Sequence, residues 1–292
     1  MESWLVTGAT GQLGSELLLL LGRDSQPKRI CAVSRGRPTA PPAADARSIN
    51  LEDHAALEAC VREIRPTHLV HVGAMTSVND CFADPDRAAA VNTVATARLA
   101  RAALDCSARF VFTSTDMVFD GDGAPYREHD PTAPRSVYGR TKVAAEHEVL
   151  AHDGTLVVRL PLMYGFPANN RETTFVKQVK ALREHAQLDL FVDEFRTPIA
   201  LRDAAAALIA LARGGDVGVI HVAGPERLSR LQMVERFAIA LGVSAVHANP
   251  ISRLAAAAPE PRPADLSLDG RRFVERYPAL APRPVIAALL AR

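Results

Sequence analysis

At 292 residues, with 48% hydrophobic and 23% charged side chains, the chain has the make-up of a soluble globular protein with room for one large domain or two modest ones. A formal net charge of +1 offers no electrostatic footprint for nucleic acid or an anionic membrane. The longest run of large apolar side chains, Leu17–Leu21, is far short of a bilayer span.

Trp4-Leu5-Val6-Thr7 predicts a first strand that ends at once in Gly8-Ala9-Thr10-Gly11-Gln12-Leu13-Gly14. An apolar, helix-favouring stretch follows to Leu21, with Gly22 as a stop. Strand, glycine turn and helix are the setting of a phosphate-binding loop. Glycines let backbone approach a pyrophosphate, and the helix N-terminus offers free N–H groups and a favourable dipole. The spacing is GxxGxxG, not GxGxxG, so a purely structural turn is the alternative. Its place within ten residues of the start favours a dinucleotide, held by Gly8, Thr10, Gly11, Gln12, Leu13 and Gly14.

Arg29–Ser34 reads as the second strand. An NAD site usually has Asp or Glu near this strand's end, for the adenosine ribose. Ser34-Arg35-Gly36-Arg37 stands there instead. The guanidiniums of Arg35 and Arg37 suit a 2′-phosphate, so NADP(H) is expected over NAD(H). A solvated basic turn is the plainer alternative. Pro38–Ala44 is a Pro/Ala-rich connector, and a short strand near Arg47–Ile49 leads to the further cofactor candidates Asn50 and Leu51. Asp53 is placed to cap a helix over His54–Ile64.

Thr67–Val72 reads as a buried strand, closed by Gly73-Ala74-Met75-Thr76. At Gly73 and Ala74 a small-residue turn lets backbone pass close to a cofactor. A helix is predicted from Asp86 to Leu104. Asn92 is unusual there among Ala and Val, and its plainer reading is a surface or helix-bending residue. Arg109–Thr113 is the fifth strand, running into Ser114-Thr115-Asp116-Met117-Val118-Phe119-Asp120-Gly121. Ligands of open parallel sheets lie beyond the carboxyl ends of the strands. Thr115 is therefore a candidate donor to a substrate carbonyl oxygen, or else an ordinary strand-end cap.

A loop rich in Gly, Pro and charge (Asp122–Arg135) leads to a helix that opens on Val137-Tyr138-Gly139-Arg140-Thr141-Lys142 and runs to about His152. Residues four apart share a helix face, so Tyr138 and Lys142 can address one site. A phenol with pKa about 10 is a poor acid at neutral pH. A neighbouring ammonium is expected to lower that pKa and ease proton transfer. This chain almost always spends Arg on positive charge, with only four Lys in all, whereas Lys is a compact donor suited to one buried contact. Thr155–Leu160 is a sixth strand. The alternation of strand and helix to residue 160 argues for right-handed βαβ units and a parallel sheet.

Beyond Pro161 the rhythm breaks. Asn169–Arg183, Ala200–Arg213 and Ser229–Leu241 read as helices, Leu188–Val192 and Val217–Val222 as extended, and Pro259–Pro263 and a short helical tail close the chain. The expected fold class is α/β, a Rossmann-type doubly wound parallel sheet with a smaller C-terminal lobe over its strand ends. A dinucleotide-binding domain over residues 1–160 and a substrate-binding lobe over 161–292 follow, with some lobe segments able to join the main sheet. Within Asp193-Glu194-Phe195-Arg196-Thr197-Pro198, Arg196 can bind a nucleotide diphosphate through its planar fork, or pair with Glu194 or Asp193 at the surface.

Cys31, Cys60, Cys81 and Cys106 lack CxxC spacing, and no histidine joins an HExxH or Cys/His cluster. Reduced thiols and no protein-built metal site are expected. The start, Met1-Glu2-Ser3-Trp4, lacks the basic region and apolar core of a signal peptide, which points to the cytoplasm.

Gly8/Gly11/Gly14, the Ser114–Gly121 stretch and Tyr138/Lys142, in that order over nearly the whole chain, resemble the extended short-chain dehydrogenase/reductase family. The resemblance implies hydride transfer at NAD(P). It assigns the proton donor to Tyr138, the contact with the substrate oxygen to Thr115, and a grip on the nicotinamide ribose to Lys142. Within the family, Ser114-Thr115-Asp116-x-Val118-Phe119-Asp120-Gly121 looks most like the dTDP-4-dehydrorhamnose reductases. Pro125–Glu128, Arg159–Gly165 and Gly224-Pro225-Glu226 agree. Related dehydratases carry Asp-Glu after the Thr, and Met117 has no proton to offer, so dehydration is disfavoured. Met117 also replaces a Tyr common in those reductases, and Arg159–Gly165 lacks their Trp, which implies an altered sugar pocket. The regulatory beta subunit of methionine adenosyltransferase shares the pattern, so a cofactor-binding regulatory subunit is the rival expectation. A nucleotide sugar is the expected partner, with a homodimer as the assembly considered; neither nucleic acid nor membrane is expected.

Overall fold

The computed structural model describes residues 1–26, 28–36 and 44–291. Arg37 and connector positions 38–43 lie outside the described residues. The first half alternates strand and helix: β1 (Glu2–Thr7), α1 (Gln12–Arg23), β2 (Lys28–Ser34), β3 (Ala44–Ser48), α2 (His54–Ile64), β4 (His68–His71), α3 (Val78–Ala83), α4 (Pro85–Ala89), α5 (Ala95–Asp105), β5 (Arg109–Thr115), α6 (Val137–Leu150) and β6 (Leu156–Leu160). The second half is more broken: β7 (Met163–Tyr164), α7 (Thr174–Arg183), β8 (Leu188–Phe191), β9 (Phe195–Arg196), β10 (Ile199–Ala200), α8 (Leu201–Arg213), β11 (Gly218–His221), β12 (Leu228–Ser229), α9 (Arg230–Leu241), β13 (Ala248–Ile251), α10 (Arg271–Arg276) and α11 (Val285–Leu290).

Seven strands form one parallel sheet in the order β11-β6-β5-β4-β1-β2-β3. The order reverses at β1, with β2 and β3 to one side and β4, β5 and β6 to the other. Loops leaving neighbouring strands part at such a switch point and open a crevice beyond the carboxyl ends. Successive residues of β1 feed opposite faces. Trp4 and Val6 pack with Leu17, Leu18, Leu208 and Leu211 of α1 and α8, while Leu5 packs with Leu57, Leu99, Phe110 and Val149. Because helices cover both faces, the central strands carry continuous apolar runs, and β6 is buried along its whole length. A third apolar cluster, including Tyr164, Phe175, Val234, Phe237 and Leu289, lies among α7, α9 and α11.

Local signals set several boundaries. Asp53 caps α2 by accepting from the Ala56 N–H at 3.0 Å, as its position predicts. Ser229 and Gln232 form a reciprocal capping box that starts α9. Other boundaries differ from expectation. The helix expected over 86–104 is interrupted by a π turn, Ala90–Val94, between α4 and α5. A π turn adds a residue to the helix and re-aims the side chains it carries. Asn92 sits in that turn, 1% exposed, so it is not a surface residue. The short helix α3 was not expected; Ser77 caps it through the Asp80 N–H at 3.2 Å. The strand expected at Arg47–Ile49 lies at Ala44–Ser48. The fifth strand runs on to Thr115. The helix expected from Asn169 starts only at Thr174, where Thr173 caps the Val176 N–H. Asn169 instead donates to the Thr10 carbonyl at 2.9 Å.

Candidate active site

A cleft of about 880 Å³ opens beyond the ends of β1, β2, β4, β5 and β6. At one side lie Gly8, Thr10 and Gly11, then the first turn of α1 with Gln12, Leu13 and Gly14. The backbone here is packed without room for side chains. Gly8 has φ +69°, and a Cβ on it would stand 2.6 Å from the Gly73 Cα. One on Gly14 would stand 2.2 Å from the Gly8 carbonyl oxygen. The N-cap of α1 is Gly11, which has no side chain to accept from the first-turn amides. A glycine cradle at an uncapped helix N-terminus fits a pyrophosphate.

Ser34, Arg35, Asn50, Leu51, Gly73 and Ala74 line the neighbouring wall. The Ser34 hydroxyl donates to the Gly36 carbonyl at 2.6 Å and the Ser48 hydroxyl to the Arg35 carbonyl at 2.9 Å, which fixes the turn after β2. A pair on this wall carried no mark in the sequence. Glu52 accepts from Nε and Nη2 of Arg87, each at 3.1 Å, and both residues line the cleft.

At the other side, Thr115, Met117, Tyr138, Lys142 and Arg196 come together. Ser136 caps α6 by accepting from the Gly139 N–H at 3.1 Å. A Cβ on Gly139 would lie 2.3 Å from the Met117 carbonyl oxygen, so the first helical turn rests directly on the segment after β5. That contact brings Tyr138 beside Thr115, whose hydroxyl acts on the phenol. The Thr115 hydroxyl also donates to Asp116 Oδ1 at 3.1 Å and accepts from the Met117 N–H at 3.2 Å. One turn along α6, Lys142 Nζ donates to the Thr113 carbonyl at 2.7 Å and lies 4.0 Å from the centroid of Phe112.

Burial decides the charge states. It raises the Tyr138 phenol well above its ordinary range, with the neighbouring Thr115 side chain acting in the opposite sense. The lowered phenol pKa expected from the i+4 spacing is therefore not found. Burial is the largest cause, Asp116 and Cys81 act in the same sense, and the Lys142 ammonium is engaged by the Thr113 carbonyl. Burial also lowers Lys142 to about 7, with Glu146 one turn further on acting in the opposite sense. Asp116 is pushed up by burial, with Arg196 opposing.

Arg196 is not a surface residue. It is 5% exposed and held between Asp116 Oδ2 at 3.2 Å and Glu194 Oε1 at 3.5 Å. Glu194 also gathers Arg230 at 2.6 Å and Arg262 at 3.7 Å. Arg230 lines the cleft as well. As one arginine among many, it carried no distinguishing mark in the sequence. Met75 and Met163 add an apolar wall beside Met117.

A buried polar chain joins the two sides. Asn92 accepts from the Met75 N–H at 2.8 Å and donates to the Met75 carbonyl and the Thr141 hydroxyl, each at 3.0 Å. The Thr141 hydroxyl donates to the Tyr138 carbonyl at 2.8 Å. Behind Asn92, its carbonyl accepts from the Thr96 hydroxyl at 2.6 Å, and that hydroxyl lies 3.0 Å from His71 Nε2. The other ring nitrogen, Nδ1, is 2.6 Å from the Thr7 hydroxyl. Burial and Lys142 push His71 down to about 3, so the ring is neutral. With the Thr96 proton committed to Asn92, Nε2 carries the ring proton and Nδ1 accepts from Thr7. Asn92 was the one sequence signal of this chain.

Among the described residues no group of three or more His, Cys, Asp or Glu is placed to hold a metal ion. No described helix is long and apolar enough to cross a membrane.

The RmlD substrate binding domain family matches residues 2–288. The chain is 34% identical over 279 residues to a Streptomyces griseus dTDP-4-dehydrorhamnose reductase, with 92% of this chain and 86% of that one covered. It is 30% identical over 274 residues to the Xenopus laevis methionine adenosyltransferase 2 subunit beta, with 91% and 79% covered. A hypothetical dTDP-4-dehydrorhamnose reductase from Sulfolobus tokodaii superposes with a TM-score of 0.81 at 28% identity, covering 94% of each chain. The same fold, at a TM-score of 0.86 and 23% identity over 99% and 97% of the chains, is that of a Bacillus anthracis dTDP-4-dehydrorhamnose reductase in complex with NADP. The chain belongs to the RmlD substrate binding domain family, and so to the NAD(P)-dependent extended short-chain dehydrogenase/reductases.

Proposed function

We propose that this protein is an NADP(H)-dependent reductase of a 4-keto nucleotide sugar. The observation that carries this reading is the convergence of Thr115, Tyr138 and Lys142 in the same cleft as the glycine cradle. Bound there, the nicotinamide supplies the hydride. The chain's own residues do the rest. Thr115 and Tyr138 hydrogen-bond the substrate carbonyl oxygen, and Tyr138 gives it a proton as negative charge develops. Burial keeps the phenol protonated, which suits a donor in the reducing direction. Lys142, anchored on the Thr113 carbonyl, would hold the nicotinamide ribose hydroxyls. Residues 1–160 would hold the dinucleotide, and the lobe over 161–292 the substrate.

For the diphosphate of the sugar nucleotide, the structure shifts weight from Arg196 towards Arg230. The Arg196 side chain is 6% exposed and taken up by two carboxylates, whereas that of Arg230 is 23% exposed. Arg35 supports a preference for NADPH, since no acidic residue stands at the end of β2. Met117 has no proton to offer, which argues against dehydration; standing where those reductases commonly carry a Tyr, it argues for weak reduction of the rhamnose precursor itself, because a site that has lost a hydrogen bond discriminates against its old substrate. The four free cysteines are in keeping with a cytoplasmic setting.

A nicotinamide-binding regulatory subunit is the second reading, favoured by the identity with methionine adenosyltransferase 2 subunit beta. NADPH consumption with a panel of 4-keto nucleotide sugars, beside co-purification with a synthetase, separates the two. Turnover supports the reductase, and a silent NADPH-binding protein in a stable complex supports the subunit.

A further inference from the structure

The start of helix α6 is held by a residue that neither the motifs nor the cleft single out. The N–H of Val137, the residue before Tyr138, donates to Glu260 Oε1 at 2.8 Å, and Arg140 Nη2 reaches the same oxygen at 3.3 Å. Glu260 is 9% exposed, and its second oxygen, Oε2, is buried without a hydrogen-bond partner. Ser136 already satisfies the Gly139 N–H, so the two caps take different amides of one turn. A carboxylate at a helix N-terminus is favoured by the helix dipole as well as by the hydrogen bond.

The first turn of α6 is therefore clamped from two sides, with Tyr138 between them. On one side Gly139 rests against the Met117 carbonyl. On the other, Val137 hangs from Glu260. The segment that carries Glu260 is itself tied to the arginine cluster of the cleft. Arg262 pairs with Glu194 at 3.7 Å and its guanidinium lies 5.0 Å from the Phe191 ring centroid, and Glu194 also holds Arg196 and Arg230. Prolines at 259, 261 and 263 restrict the backbone on both sides of Glu260 and Arg262.

We propose that Glu260 is a positioning residue for proton transfer, through which the C-terminal segment fixes the first turn of α6 and with it the Tyr138 hydroxyl against Thr115. Its effect on turnover rests on the reductase reading above; its effect on the helix does not. Glu260 touches neither cofactor nor substrate side of the cleft, so its loss should act on the rate of the bound complex and leave cofactor affinity alone.

The test uses Glu260→Ala and Glu260→Gln in the full chain, with three measurements: NADPH affinity, kcat and KM separately, and amide hydrogen exchange along α6. Glu260→Ala should keep NADPH affinity within about twofold and lower kcat by roughly tenfold to a hundredfold, the scale of a small misplacement of a reacting group. Exchange should rise over residues 137–141 and stay unchanged along β5 and the glycine loop. Glu260→Gln, which keeps the acceptor for Val137, should recover most of both. Unchanged exchange at 137–141 in Glu260→Ala would overturn the proposal, as would an unaltered kcat. A parallel loss of NADPH affinity and of protection throughout the sheet would also overturn it, by showing a general structural role. If the native protein binds NADPH but turns over no keto sugar, the reductase reading fails, and the exchange result still decides whether Glu260 holds the helix.

Discussion

The Lys142 ammonium lies 2.7 Å from the Thr113 carbonyl oxygen, two residues before Thr115 on the same strand. One strand end thus presents the hydroxyl and anchors the charge behind it. Burial lowers the Lys142 pKa from 10.5 to about 7. Between those values the unfolded chain holds a proton that the folded chain has released, so this group's contribution favours the fold increasingly as pH rises from 7 to 10.5. The contribution is most unfavourable below pH 7, by an amount on the order of a few kcal/mol. Lys142→Met should therefore gain stability over the native protein most in mildly acidic buffer and least in alkaline buffer, by urea unfolding at both. NADPH affinity of the native protein should weaken as pH rises through about 7, and in Lys142→Met it should be lower and lack that step. A native affinity that is flat across this range would contradict the assignment.

Tyr138→Phe removes one hydroxyl from a residue 8% exposed and leaves its ring in place. The variant should bind NADPH as the native protein does and lose turnover by about 10²–10⁴-fold, the usual contribution of a positioned general acid. Single-turnover rates, where chemistry limits, are the measurement. Equal rates would remove Tyr138 from the reaction.

Gly14→Ala places a methyl group 2.2 Å from the Gly8 carbonyl oxygen, backbone against backbone. Neither side has a flexible end to move, so strain of about 1–3 kcal/mol or more must shift the loop. NADPH affinity should fall by roughly tenfold or more, with far-ultraviolet circular dichroism unchanged. At Gly11 the same added atom meets that oxygen at 3.0 Å, so Gly11→Ala should cost less. The reverse ranking would place the pyrophosphate elsewhere.

Arg35 lines the cleft at the turn after β2. A charge-assisted hydrogen bond contributes about 1.5–3 kcal/mol. Arg35→Ala should therefore narrow the ratio of NADPH to NADH affinity by roughly tenfold or more, while NADH binding changes little. Titration of both dinucleotides by intrinsic fluorescence reads this directly, and equal affinities in the native protein would sink the preference.

The features legible in the sequence are those set within a few residues. The cradle of Gly8, Gly11 and Gly14 follows from a strand, a turn and a helix in succession, and Tyr138 and Lys142 share a face by helical spacing alone. Asn92 stood out because an amide is uncommon in an Ala-rich helix, yet its partners Met75 and Thr141 come from other elements. What was not legible depends on contacts between distant segments. Glu52 meets Arg87 across 35 residues and Val137 meets Glu260 across 123. The direction of the Tyr138 pKa shift was misjudged for the same reason. Spacing reveals which groups are neighbours, whereas the direction of the shift depends on how much water the fold removes from around them.

Transfer of deuterium from NADPH labelled at the nicotinamide C4 to the carbonyl carbon of a 4-keto nucleotide sugar tests the reductase reading most directly. Mass spectrometry and NMR of the product, across a panel of bases and sugars, read the outcome. Deuterium should appear on the reduced carbon in proportion to the NADP⁺ formed, and about 10²–10⁴-fold more slowly in Tyr138→Phe. Protein shown to bind NADPH that transfers no deuterium to any member of the panel would contradict that reading.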